Sequence, residues 1–101
     1  MEVAYSKNGV PIRLSADRWT HIVENHDDMA GYRDAVLEAI EEPEAVARGK
    51  AGELLALKEI ANRTLVVAYR ETSRTDGFII TAFFTTQPER VRKRGLVWPR
   101  R

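Results

Sequence analysis

The chain contains no cysteine, which excludes disulfides and thiolate metal sites. It has no apolar run near the roughly 20 residues that a membrane-spanning helix needs, so no membrane partner is expected. Met1 to Val10 carries neither a basic segment nor an apolar one, so no signal peptide is expected there. Together these absences predict a cytoplasmic protein, or one that reaches a target cell by a signal-free route. Internal repeats and low-complexity stretches are also missing.

What is present is a chain of 101 residues, 44% hydrophobic and 31% charged, enough for one domain over 1–101 with a modest core. That apolar content argues against disorder, coiled coil and collagen-like structure. The net charge of +1 conceals a strong polarity. Residues 15–44 hold Arg18 and Arg33 against nine acids, a net −7. Residues 88–101 hold Arg90, Arg92, Lys93, Arg94, Arg100 and Arg101 against Glu89, a net +5. A basic end suits a phosphate-rich partner, and it equally suits a solubilising tail.

Hydrophobic spacing predicts two helices. Ser15 stands as an N-cap with Asp17 in the first turn, and Trp19, Ile22, Val23 and His26 follow on one face. After Gly31, Tyr32 to Glu42 repeats the pattern with Tyr32, Val36, Ala39 and Ile40, and Pro43 stops it. Strands are predicted at Glu53–Ile60, Thr64–Glu71 and Phe78–Thr86, rich in β-branched and aromatic residues. A weaker strand at Glu44–Arg48 precedes them, and a hairpin joins Val3–Tyr5 to Val10–Arg13. After Pro88 a short basic helix or loop leads to an edge strand, Leu96 to Trp98.

Alternation divides the three main strands into two faces. Leu55, Leu57, Leu65, Val67, Tyr69, Phe78, Ile80, Ala82 and Phe84 form an apolar face for the helices. Leu54, Ala56, Lys58, Val66, Ala68, Arg70, Ile79, Thr81, Phe83 and Thr85 form a mixed, open face. The expected architecture is α+β: two N-terminal helices on one face of an antiparallel sheet of about four strands.

Two groups of side chains could carry chemistry. His21 and His26 are the only histidines; at i, i+5 they diverge on a helix, which disfavours a shared metal, whereas a general acid or base needs only one. His26 fits equally a hydrogen-bonded residue packing the helix end, and His21 a solvated one. Lys58, Arg70, Thr81 and Thr85 share the predicted open face, where cations and hydroxyls could hold a phosphate, or simply be solvated. Phe83 and Trp98 could stack bases, although packing accounts for both.

Several segments together resemble a known family. They are Arg18-Trp19-Thr20-His21-Ile22-Val23-Glu24-Asn25-His26, the helix start Gly31-Tyr32, and Gly52-Glu53-Leu54-Leu55-Ala56-Leu57-Lys58. Leu65 to Glu71 and Asp76 to Thr86 complete the order. This resembles the phage-type branch of the barnase–EndoU–colicin–RelE superfamily of small nucleases, over about residues 10 to 87, leaving 88–101 as a basic extension. The resemblance implies a RelE- or colicin-nuclease-like fold and a metal-independent endoribonuclease of toxin or effector type, without a cofactor. It implies a helix-borne histidine, His21 or His26, with Lys58 and Arg70 on the strands and a hydroxyl from Thr81 or Thr85. The expected partners are RNA, with tRNA and mRNA both candidates, and an antitoxin or immunity protein; Arg90, Arg92, Lys93 and Arg94 would bind the RNA. The alternative is a non-catalytic RNA- or protein-binding module on the same scaffold.

Overall fold

The computed structural model describes residues 1–99; Arg100 and Arg101, part of the basic terminal set, lie outside the described residues. The chain runs β1 (Glu2–Tyr5), β2 (Pro11–Leu14), α1 (Ala16–Asn25), a 3-10 turn (Asp27–Met29), α2 (Arg33–Glu41) and β3 (Ala45–Arg48). It continues with β4 (Leu54–Ile60), β5 (Arg63–Ser73), β6 (Asp76–Thr85), α3 (Pro88–Arg92) and β7 (Leu96–Trp98). Ser15 caps α1 as its spacing predicts, its side chain accepting from the Arg18 N–H at 3.1 Å.

All seven strands join one sheet in the order β1-β2-β6-β5-β4-β3-β7. This corrects the expected four-stranded antiparallel sheet with two helices on one side. β2 pairs with β6 in parallel, through Ile12–Gly77 and Arg13–Phe78. A third helix, α3, lies on the opposite face from α2, with Val91 packed among Ala45, Ala47, Leu55, Leu57, Val66 and Ala68. β6 and β7 point the same way, because four antiparallel pairings separate them. The link between them must therefore cross back over the sheet, and α3 is that crossing. Gly77 makes the β2–β6 seam possible: a Cβ there would stand 2.5 Å from the Arg70 carbonyl oxygen and 2.6 Å from Ile12 Cδ1.

Two register features redistribute the faces. The β4–β5 hairpin turns through Ala61 and Asn62, pairing Ile60 with Arg63, Lys58 with Leu65, Ala56 with Val67 and Leu54 with Tyr69. Leu54, Ala56 and Lys58 therefore share the helix-bearing near face with Leu65, Val67 and Tyr69, whereas Leu55 and Leu57 turn to the far face. The predicted assignment of β4 is one residue out. Leu54-Leu55-Ala56-Leu57 is apolar on both sides, so alternation could not choose its face, and both faces are covered. In β6 a bulge shifts the register between Ala68–Thr81 and Tyr69–Ile79. It places Ile79 on the near face and leaves Phe78 and Ile80 on the far one, the reverse of the expected sets.

The near face curls around α2. Arg33 of α2 pairs with Glu2 of β1 at 2.6 Å, and Glu41 accepts from the Tyr5 N–H at 3.2 Å. From the β1–β2 turn, Lys7 reaches the Trp98 ring of β7 at 4.9 Å, although β1 and β7 are the two edges of the sheet. No helix among the described residues is long and apolar enough to cross a membrane.

Candidate functional site

The far face is divided. α3 covers β3, β4 and Val66 and Ala68 of β5, and beside it β6 presents a partly exposed strip, the groove of the far face, whose Ile80 and Phe83 pack against the α3 cluster. β2 leaves β6 after Phe78, and α1 takes its place along the strand: Arg18 donates from Nη1 to the Ile80 carbonyl at 3.3 Å. Two turns later the His26 ring stands 6.0 Å from the Phe83 ring. The groove thus has α1 on one side and α3 on the other. Its floor is Phe78, Ile80, Thr81, Phe83 and Thr85, all partly exposed.

His26 owes its position to the end of α1, where its backbone N–H still bonds to the Ile22 carbonyl at 2.8 Å. It is half-buried, and it is the histidine that meets the groove. His21 is exposed, and its contact is Glu24 at 3.9 Å. Thr81 and Thr85 reach the same face through their pairings with Ala68 and Thr64. Thr85 Oγ1 accepts from the Gln87 N–H at 3.1 Å, which leaves its own hydrogen free to donate.

The strand cations do not form a joint site. Lys58 lies on the near face, where its ammonium donates to the Glu42 carbonyl at 2.8 Å and pairs with Glu38 at 3.3 Å. Its long stem carries the charge past the edge of the core to the end of α2. Arg70 lies on the far face, opposite Phe78, and donates from Nη2 to the Ala51 carbonyl at 2.9 Å. The sheet separates the two, which overturns a phosphate site shared by Lys58 and Arg70. Arg70 is also distant from His26, because Phe78 and Phe83 are five residues apart, roughly 16 Å at about 3.3 Å per residue.

Three groove residues were not among the expected site residues: Arg13, Arg18 and Phe78, the last expected on the apolar helix face. In register, Arg13, Phe78 and Arg70 form one row across β2, β6 and β5. Asp76 grips Arg13 with both oxygens, at 2.7 Å to Nε and 3.1 Å to Nη2. That contact, first through hydrogen bonding to Arg13, holds the Asp76 carboxyl below its ordinary value and raises the Arg13 guanidinium above its own. Arg18 and Arg70 are anchored on carbonyls instead. Arg70 also acts on the Glu53 carboxyl, which the Ala51 N–H foremost, and then the charges of Arg70 and Arg94, hold below its ordinary value. Arg18 opened the segment that carries the family resemblance but had no role there; the Arg13–Phe78 row needed the parallel pairing, which local pattern does not reveal.

Arg90, Arg92, Lys93 and Arg94 are exposed on and after α3. Trp98 sits elsewhere, under Lys7 and beside a near-side cavity of about 70 Å³ that Tyr69 also lines. Burial, then the charge of Glu71, pushes the Tyr69 hydroxyl well above its ordinary value, so it stays protonated. Among the described residues no three histidine or carboxylate side chains converge as a metal site. No family model, curated protein or solved structure matches this chain.

Proposed function

We propose that this chain is a metal-independent endoribonuclease that cleaves single-stranded RNA in the groove along β6. The observation that carries the reading is the His26 ring 6.0 Å from the Phe83 ring, on a strand face that also bears two threonine hydroxyls. The sequence resemblance to the phage-type small nucleases supports it. Neutral His26 takes the proton of the 2′-hydroxyl, and the 2′-oxygen forms a bond to phosphorus. The bond from phosphorus to the 5′-oxygen breaks, and water in the open groove protonates the departing oxygen. The products are a 2′,3′-cyclic phosphate and a 5′-hydroxyl end. Thr81 and Thr85 donate to the nonbridging oxygens, whose charge grows in the transition state. Arg70 and the cations of 90–94 bind neighbouring phosphates, and Phe83 offers a ring to a base.

Incubating the purified chain with short RNA in EDTA tests this. Cyclic-phosphate ends are expected, and His26→Ala should slow cleavage about 10²–10⁴-fold while circular dichroism shows it folded. Cleavage by folded His26→Ala at the wild-type rate overturns the mechanism. Intact RNA with a salt-sensitive gel shift would instead identify a non-catalytic binding module.

A further inference from the structure

At the end of the groove away from His26, the departure of β2 from β6 leaves a notch of about 270 Å³ lined by Arg13, Ser15, Arg18, Phe78 and Ile79. We infer that this notch is a base subsite selective for guanine, an inference that rests on the groove's reading as an RNA site.

Phe78 supplies a ring on the far face, between Arg13 and Arg70 in register, as base stacking requires. The polar groups around it are donors. Arg18 uses Nη1 on the Ile80 carbonyl, and its Nε and Nη2 make no hydrogen bond among the described residues. Those two N–H groups form the side-on fork that pairs with two adjacent acceptors. Arg13 commits Nε and Nη2 to Asp76 and keeps Nη1. Ser15 Oγ accepts from the Arg18 N–H and keeps its hydrogen.

Guanine presents O6 and N7 side by side, two acceptors for one guanidinium fork. Adenine presents N7 beside an amino donor, which would face a donor and leave both unpaired. Uracil offers one carbonyl on the comparable edge. The Asp76 carboxylate behind Arg13 keeps negative charge at this end, which favours a neutral base over a phosphate in the notch. The attached phosphate then falls toward Arg70, across the Phe78 ring.

Calorimetric titration of the full chain with 5′-GMP, 5′-AMP and inorganic phosphate tests the subsite without requiring cleavage. Non-cleavable 2′-deoxy tetranucleotides, one carrying a single guanine and one all adenine, form the second arm. The expected result is roughly tenfold or more tighter binding of GMP than AMP, with phosphate weaker than either. A larger guanine preference in the tetranucleotides assigns the notch to a strand; an equal one assigns it to a free nucleotide, and either supports a guanine subsite. Arg18→Lys keeps the charge but loses the fork, so it should erase the preference while retaining AMP binding. Phe78→Leu should weaken all bases together. Equal affinity for GMP and AMP, or a preference that survives Arg18→Lys, overturns the subsite. RNA left intact by a chain that still prefers GMP sinks the nuclease reading alone; cleavage with no guanine preference in binding sinks the subsite alone.

Discussion

Arg13 and Asp76 form the best-aligned ion pair of the groove, and its effect follows from the direction of the carboxyl shift. Asp76 titrates below its ordinary value of 3.8 in the folded chain, mainly because Arg13 hydrogen-bonds the carboxylate. A carboxyl lowered by folding adds stability above its unfolded value, and loses it as pH falls through the folded one. The pair is solvent-accessible, so the effect is screened by salt. Urea midpoints of wild type and Asp76→Asn should therefore differ at neutral pH and converge as pH drops below about 3.8. A difference that persists unchanged in acid would show that the aspartate acts by packing instead. His26 and His21 show a different lesson at this scale. Helical spacing separated them, but it did not say which would meet the groove. That depended on α1 lying along the free edge of β6, a tertiary fact.

Among the elements, β4 shows where legibility ended. Its existence and near bounds were readable from Glu53–Ile60, as were α1, α2 and the strands β5 and β6. Its face was not, because four consecutive apolar residues suit either side of a sheet covered on both. The covering came from α3, five residues that read as a basic helix or loop. Only Val91 among its neighbours is apolar enough to announce a buried side, and a single residue has no period. The corrected faces make opposite forecasts for two cations. Lys58→Met should cleave RNA at the wild-type rate, whereas Arg70→Ala should weaken RNA binding severalfold in a gel-shift titration. The reverse outcome would return Lys58 to the site. The far-face cluster also has a forecast of its own. Leu57 is fully buried there, so Leu57→Ala should cost about 2–5 kcal/mol in chemical denaturation. A loss below about 1 kcal/mol would mean that α3 does not seal that face.

For the molecule as a whole, charge and topology divide the labour. α1 is nearly balanced, with Arg18 against Asp17 and Glu24, most acids of the segment 15–44 lie beyond it at 27–44, and the cations of 90–94 lie on and after α3. A strand of RNA should be drawn in from the α3 side. Binding measured across a salt series should give a log–log slope of about −0.7 for each phosphate neutralised. Replacing Arg90, Arg92, Lys93 and Arg94 by Gln should flatten that slope. An unchanged slope would remove α3 from the interface.

The crossing of α3 also bears on how the chain comes to be made. Synthesis delivers the residues in order, and 88–98 come after every other described element but close a face that β3 and β4 created some forty residues earlier. Until they arrive, Leu55, Leu57 and Val66 lie bare on the growing polypeptide, and β3 has an unpaired side where β7 will dock. Such a surface and such an edge favour association between neighbouring nascent chains. The protein's order of assembly thus runs against its order of translation: the face made by β3 and β4 cannot be closed before residues 88–98 emerge, and any pause before Pro88 prolongs its most adhesive state.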